Sequence, residues 1–178
     1  TLSDGQWQQV TFPNMNAYGD YQVKESPDGR YLAVLRNVAD RRYSLIIMDL
    51  VNKDLVVEKP INFFAAAIVW QPDSQNLALS SFKGDFYHYS IRHDTMTEQQ
   101  GSQPGLNDVF YRCGADCFYM RSHHMNYTDI KEIPNPFDAT PYLATLSLES
   151  KDAEFNPIYN QNGDTLYFTS KDEMQARI

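Results

Sequence analysis

The side chains best suited to covalent or metal chemistry lie in one short stretch. It holds both cysteines of the chain, Cys113 and Cys117, and two of its four histidines, His123 and His124. A repeat described below predicts a hairpin between the cysteines. Two strands that meet across a short turn bring their α-carbons within bridging distance, so a disulfide fits, and a secreted or periplasmic compartment would keep it oxidised. Closing so small a ring would stabilise the fold by about 2 kcal/mol, as local stiffening.

Zinc binding, redox chemistry and two inert thiols remain alternatives for the same stretch. Cysteine and histidine are the usual zinc ligands, so the residue types suit a metal. However, the Cys-x3-Cys spacing is wider than the usual Cys-x2-Cys spacing. Adjacent histidines in a strand also point to opposite faces, so both do not readily face one metal. The spacing favours the disulfide, and we expect neither a metal nor another cofactor.

The sequence contains none of the common motifs that position catalytic residues. It contains no Gly-x-Ser-x-Gly nucleophile elbow, no His-Glu-x-x-His motif and no glycine-rich phosphate loop. Three carboxylates recur, Asp28, Asp73 and Asp164, but they stand at predicted turns, where they commonly bond to the local backbone. We therefore expect no enzymatic activity from this chain. A hydrolase built around it would need its nucleophile in another domain.

Charge and hydropathy exclude two further classes of function. The 178 residues include 15 basic and 23 acidic ones, and the formal charge of −8 would repel a phosphate backbone. Direct nucleic-acid binding is therefore not expected. No apolar run approaches the roughly 18 residues that span a bilayer, and the first residues lack a signal-peptide pattern. Because the chain also starts without Met, we expect an excised or processed piece of a longer protein.

The elements that must position these residues are repeats of about 45 residues. Residues 26–36 combine a Ser-Pro-Asp-Gly turn with a run of strand formers. Residues 70–81 and 160–170 repeat this unit, and a degenerate copy at residues 112–122 carries the cysteines. This period is typical of propeller blades rather than of helical repeats.

The turns in these repeats have a physical basis. Proline presets φ at the first corner, aspartate can bond to its own backbone, and glycine takes the left-handed conformation that other residues resist. The residues predicted to shape the blade turns are Pro27, Asp28, Gly29, Pro72, Asp73, Gly163 and Asp164.

The repeats predict an all-β fold, a β-propeller of four-stranded antiparallel blades, over the single region 1–178. Residues 7–12 alternate in character and are predicted to be a strand of a preceding or closing blade. Because the last blade ends inside a strand and repeats need neighbours, we expect about four blades of a truncated propeller. The predicted blades cover about residues 20–58, 65–100, 108–148 and 154–178.

The Ser-Pro-Asp-Gly-x-x-Leu-Ala unit at 26–33 resembles the TolB-like (WD40-like) propeller repeats. Degraded forms at 71–78 and 161–167 and the Gln-x-Val-Thr-Phe lead-in at 8–12 extend the resemblance over most of the chain. It implies the propeller fold. These propellers serve as interaction modules, as sensors and as gating domains of prolyl oligopeptidase-type enzymes, so the resemblance leaves the function open.

The third copy departs from this pattern, with Arg-Cys-Gly-Ala-Asp-Cys at 112–117 followed by Asn-Tyr-x-Asp-Ile at 126–130. Such a cysteine-bearing blade resembles the periplasmic sensory domains of CadC/ToxR-type membrane-anchored transcriptional regulators. The resemblance implies a non-catalytic propeller that senses a small molecule or a protein, joined to the membrane through a segment outside this chain. The candidate sensing loop comprises Arg121, His123, His124, Asn126, Tyr127 and Asp129.

This reading implies a periplasmic location and a homodimer, since a regulator that grips two half-sites is commonly paired. Two alternatives remain. One is a TolB-like interaction module of the cell envelope, and the other is the propeller of a prolyl oligopeptidase-type hydrolase. The parent protein would separate them by a winged helix with a membrane span, by a signal peptide alone, or by a downstream nucleophile elbow.

Overall fold

The computed structural model is built from antiparallel β-strands. Among the described residues, no helix is long and apolar enough to cross a membrane. In the strands between residues 109 and 159 only the backbone is described, apart from Ile130 and Glu154. The described residues are 2–3, 6–7, 9–81, 85–99, 109–113, 117–124, 127–133, 146–148, 153–160 and 164–171.

The chain divides into two compact units, Thr1–Phe64 and Ala65–Ile178. The first unit opens with a two-stranded hairpin and continues with a four-stranded sheet of order β3-β4-β5-β6, in which each strand is antiparallel to the next. The strands of this unit are β1 (Leu2–Ser3), β2 (Gln6–Trp7), β3 (Gly19–Glu25), β4 (Tyr31–Ala39), β5 (Arg42–Asp49) and β6 (Asp54–Ile61).

The core of the first unit lies in its two central strands. Val34 and Leu35 in β4 and Leu45, Ile46 and Ile47 in β5 are each at most 2% exposed. Consecutive residues are buried, so both faces of these strands are covered, which the run of branched aliphatic residues suits. The outer strands β3 and β6 are more exposed and carry most of the unit's strand charges.

The strand predicted over residues 7–12 is wrong. Strand β2 ends at Trp7, and residues 9–12 belong to no strand. Phe12 is 73% exposed, so the alternation read from the sequence does not reflect one buried face. Thr11 instead donates a side-chain hydrogen bond to Asp20, which holds the segment against β3. Strand pairing needs a partner ladder, which the local pattern alone does not specify.

The described part of the second unit contains three sheets. Two have four antiparallel strands, ordered β10-β9-β8-β7 and β11-β12-β13-β14, and the third pairs β15 with β16. The first strand β11 of the middle sheet contacts the first strands β7 and β15 of the other two. The strands are β7 (Ala65–Trp70), β8 (Asn76–Ser81), β9 (Phe86–Ser90), β10 (Thr95–Gln99), β11 (Val109–Cys113), β12 (Cys117–His124), β13 (Tyr127–Ile133), β14 (Leu146–Leu148), β15 (Ala153–Tyr159) and β16 (Leu166–Lys171).

Strand β7 is buried along its whole length. Its three alanines, residues 65–67, precede the larger Ile68, Val69 and Trp70, so small side chains occupy one half of a strand that is covered on both faces. This is the composition expected of an innermost blade strand near a crowded axis. Three four-stranded antiparallel sheets across the two units confirm the predicted all-β class and blade type.

Candidate functional site

A small pocket in the first unit is formed by the segment that precedes β3 and by the turn between β5 and β6. Its volume is about 190 Å³. Among the described residues, the pocket is lined by Gln9, Val10, Phe12, Met48, Asp49, Leu50 and Lys53, four of which are apolar.

Asp49 shapes the turn on one side of this pocket. Its Oδ1 accepts hydrogen bonds from the backbone N–H groups of Val51 (2.9 Å) and Asn52 (3.0 Å), and its Oδ2 lies 3.0 Å from the Arg30 guanidinium. The Asn52 N–H and the other donors hold the pKa of Asp49 below its usual value. The ionised carboxylate therefore already has a cationic partner, Arg30, and hydrogen-bond donors. Lys53 adopts a left-handed φ of 61° and is the only cation among the described lining residues.

Asp20 anchors the other side of the pocket. It accepts a hydrogen bond from the Thr11 hydroxyl and two from the Arg36 guanidinium, at 2.6 and 3.2 Å. Burial raises the pKa of Asp20, but the hydrogen bonds from Arg36 and Thr11 outweigh it and lower the pKa. Because Thr11 is held in this way, its neighbours Val10 and Phe12 are placed to line the pocket.

Large apolar side chains stand exposed in or next to the segments that form this pocket. Phe12 and Val51 are each 73% exposed, and Leu55 is 53% exposed. Val51 lies in the turn whose residues Leu50 and Lys53 line the pocket, so it is adjacent in the chain to the pocket wall. We call Phe12, Val51 and the pocket lining the N-terminal apolar patch. Met15 and Tyr18, also exposed, follow Phe12 in the same segment.

The predicted sensing residues lie in strands rather than in a loop. Arg121, His123 and His124 belong to β12, and Tyr127 and Asp129 belong to β13. His124 pairs with Tyr127 and His123 with Thr128, so the ladder extends to the last residue of β12 and the first residue of β13. Five of the six predicted sensing residues therefore lie in paired strands, and Asn126 lies outside the described residues.

The two cysteines occupy paired positions on neighbouring strands. Cys113 ends β11, Cys117 begins β12, and the register places them directly opposite each other. Residues directly opposite in an antiparallel pair have Cβ atoms about 4.5–5.5 Å apart, and closer in non-hydrogen-bonded pairs. The backbone register is thus compatible with the predicted disulfide. The side chains of both cysteines lie outside the described part of the molecule.

The blade turns share one backbone frame. The N–H of Ser26 bonds to the C=O of Tyr31, that of Gln71 to Asn76 and that of Asn160 to Thr165, each five residues on. In the first turn the Asp28 carboxylate accepts from the Ser26 hydroxyl and the Arg30 N–H, and Gly29 has a φ of 73°. Each frame thus reverses the chain over the same number of residues.

The second and third turns have different residues at the equivalent positions of this hydrogen-bonded turn. Pro72 and Asp73 stand where the first turn has Pro27 and Asp28, and Ser74, with a φ of 56°, replaces the glycine. In the third turn Asp164 lies two positions later in the frame. It accepts from the Asn160 carboxamide and the Thr165 hydroxyl, so it is no counterpart of the other two aspartates. Gly163 lies outside the described residues.

The N-terminal apolar patch is the part of the site that the sequence did not reveal. The local sequence predicts a buried strand position for Phe12, and it predicts only an ordinary turn position for Val51. The one usable signal was Pro13 immediately after Phe12, since proline ends regular pairing. Among the described residues, no group of three or more His, Cys, Asp or Glu side chains is arranged to hold a metal ion.

No protein-family model and no curated protein matches the chain. Solved structures do. The crystal structure of TolB from Acinetobacter baumannii superposes with a TM-score of 0.58 at 12% identity, over 84% of this chain and 37% of that chain. The β-propeller domain of Cps50 (Swd1) from Myceliophteria thermophila gives a TM-score of 0.56 at 12% identity, over 88% of this chain and 51% of that one.

These likenesses show the fold, which is that of β-propeller blades. They agree with the TolB-like resemblance read from the Ser-Pro-Asp-Gly repeats. The chain spans between about a third and a half of the length of the two propellers it matches.

Proposed function

We propose that this chain is a non-catalytic β-propeller module that binds a protein partner through the N-terminal apolar patch. The observation that carries the proposal is the 73% exposure of both Phe12 and Val51 beside an apolar-lined pocket. Large apolar side chains cost free energy in water, and a patch of them with a polar rim commonly marks a protein interface.

The size and charge of the pocket indicate the kind of contact. A volume of about 190 Å³ is below the range of about 300–1,000 Å³ typical of small-molecule sites. It suits an apolar side chain of a partner, the usual anchor of an interface hot spot. Because Asp49 forms its ion pair with Arg30, the Lys53 ammonium is available to a carboxylate of the partner, next to the partner's apolar side chain in the pocket.

The finer proposal is that the module is the periplasmic sensory part of a membrane-anchored DNA-binding regulator. Its support is the third blade, where Cys113 and Cys117 face each other across a hairpin as a disulfide in an oxidising compartment requires. The sensed signal is then the partner protein, the membrane contact lies outside this chain, and the parent forms a homodimer. The acidic balance of the chain agrees with a module that does not touch DNA itself.

Site-specific photocrosslinking from positions 12 and 51 tests the binding proposal. The parent protein carries a photoreactive amino acid at either position, and the exposed Arg92 of the second unit serves as the control position. We expect crosslinks to one protein from positions 12 and 51 and none to it from 92. The purified partner should then bind Phe12→Ser at least about tenfold more weakly, with unchanged unfolding.

Crosslinks from positions 12 and 51 into the parent chain itself would overturn this proposal. They would mean that other segments of the parent cover the patch. Alkaline phosphatase fused after the chain in the parent tests the location separately, because this reporter is active only outside the cytoplasm. An inactive fusion would refute the sensory role and leave the binding proposal standing.

A further inference from the structure

A second pocket lies in the second unit, on the four-stranded sheet of β7 to β10, with a volume of about 300 Å³. All four strands or the turns that end them contribute to it. Besides Tyr89, it is lined by Gln71, Asn76, His88, Ser90, Thr95 and Thr97.

The strand register explains why these side chains meet. Asn76 pairs with Ser90, and Ser90 pairs with Thr95, so the three form a row across neighbouring strands. His88 and Thr97 form the next row with the small Ala78. The two rows are two residues apart along each strand and therefore share one face of the sheet. The alanine leaves room between the polar side chains of the rows.

The opposite face makes this arrangement rigid. Leu77 and Leu79 alternate with the pocket residues of β8, and Tyr89, which borders the pocket, stands between His88 and Ser90 in β9. All three side chains are at most 1% exposed. The Tyr89 hydroxyl donates a 2.9 Å hydrogen bond to Asp94 in the turn before β10. On the pocket face, the Asn76 amide donates to Asp73 at 2.6 Å, which fixes its orientation. The pocket is thus preformed, which lowers the entropy cost of binding.

The pocket also has unused hydrogen-bonding capacity. Within the described part of the chain, the Gln71 carboxamide and the hydroxyls of Ser90, Thr95 and Thr97 make no hydrogen bond. Among the described lining residues there is no carboxylate, ammonium or guanidinium group. Hydroxyl and carboxamide groups each offer both donors and acceptors.

From this geometry we infer that the face of β7 to β10 binds a small, uncharged, polyhydroxylated molecule of monosaccharide size. Ligand hydroxyls can donate to and accept from the same side chains, so the Gln71 carboxamide and the hydroxyls of the lining find partners. A charged ligand would lose its hydration without meeting a counter-charge, and an apolar ligand would leave the polar groups unpaired. The inference does not depend on the proposed protein partner, because it concerns the other unit.

An NMR titration of this chain tests the inference, with glucose, sorbitol and myo-inositol as neutral probes and glucuronate and glucosamine as charged ones. We expect millimolar binding of at least one neutral probe, with amide shift changes centred on Gln71, Asn76, Ser90, Thr95 and Thr97. The charged probes should bind more weakly. The double variant Ser90→Ala, Thr97→Val should lower the affinity about tenfold, since each change removes a hydroxyl that the ligand pairs with.

Two control variants separate binding from folding. Thr97→Ser keeps the hydroxyl and should bind normally, and Thr169→Val removes an exposed hydroxyl from β16, away from the pocket lining. The inference is overturned if no neutral probe shifts the pocket amides at millimolar concentration, or if a charged probe binds as tightly as the neutral ones. It is equally overturned if the double variant folds and binds like the unmodified chain.

Discussion

Arg36 and Asp20 face each other across the first two strands of the N-terminal sheet and are joined by two hydrogen bonds, at 2.6 and 3.2 Å. Their side chains are only 10% and 16% exposed. The same carboxylate accepts a hydrogen bond from Thr11, whose neighbours Val10 and Phe12 line the apolar pocket. One ion pair therefore supports both the sheet and the segment that carries the proposed binding surface.

Replacing Arg36 should destabilise the first unit. Arg36→Met keeps an apolar stem but leaves the largely buried Asp20 without its cation, which should cost about 2–3 kcal/mol in the free energy of unfolding. Urea unfolding combined with hydrogen exchange of the β3 and β4 amides measures the loss. Arg30→Met is the matched control. It breaks the pair with Asp49 from an arginine that is half exposed, so its effect should be clearly smaller.

A double-mutant cycle tests whether the loss in the free energy of unfolding comes from the interaction between Arg36 and Asp20. Asp20→Asn combined with Arg36→Met should be destabilised by less than the sum of the single variants, because the second change removes a charge that has already lost its partner. Strict additivity would show that the two side chains contribute independently and would contradict the prediction.

The same pair predicts the direction of the acid response. Although burial raises the pKa of Asp20, the hydrogen bonds from Arg36 and Thr11 lower it below the unfolded value of about 4. A lowered pKa contributes stability that is present above pH about 4 and is lost as the pH falls through the folded-state pKa. The free energy of unfolding of Asp20→Asn, measured by urea titration, should therefore fall less steeply below pH about 4 than that of the unmodified chain.

Part of the acid response should remain in Asp20→Asn. The pKa of Asp49 is also lowered, by the Asn52 N–H and by Arg30, and its contribution is lost in the same direction. If Asp20→Asn and the unmodified chain lose stability in parallel over the acid range, Asp20 does not contribute as described.

Gly29 in the first blade turn should resist substitution by residues with a β-carbon. Its φ is 73°, and Gly29→Ala should cost about 1–2 kcal/mol for the left-handed conformation. The added methyl would meet the flexible Glu25 carboxylate at 3.2 Å, which can move aside, so backbone strain should dominate. Gly29→Asn should cost less, because asparagine visits this region more readily. Thermal unfolding of both variants tests this, and an equal cost would point to steric crowding.

The backbone preferences of the turn residues explain why the sequence alone predicts the blades. Pro27, Asp28 and Gly29 determine a turn through their own backbone preferences, without help from distant residues. The same turn frame therefore recurs at Gln71 and Asn160 although the residues that fill it differ. The buried runs in β4 and β5 follow from their branched aliphatic residues, and the buried run in β7 follows from alanines beside larger apolar residues.

Non-local contacts determine the features that the sequence does not predict. Residues 9–12 alternate like a strand, but a strand forms only where another strand offers its edge, and here Thr11 bonds to Asp20 instead. The proposed binding surface depends on two segments about forty residues apart meeting at Phe12 and Lys53. Neither the apolar pocket nor the polar face of β7 to β10 corresponds to a motif, so only the assembled sheets reveal them.

The last prediction concerns Cys113 and Cys117, which pair directly across the β11–β12 hairpin. In protein exported to the periplasm we expect a disulfide between them. Mass spectrometry of protein alkylated without reduction should show a mass two hydrogens below that of the dithiol and no alkylated cysteine. Because the ring is small, loss of the bond in Cys113→Ser, Cys117→Ser should lower the free energy of unfolding by only about 2 kcal/mol.

The compartment supplies the control for this experiment. The same chain made in a reducing cytoplasm should carry two free thiols, since disulfides persist only where the surroundings are oxidising. Its hairpin amides between Val109 and Arg121, which pair in the ladder, should exchange faster than those of the oxidised form. Two free thiols in the exported protein would refute the disulfide and remove the support that the third blade gives to a periplasmic sensory role.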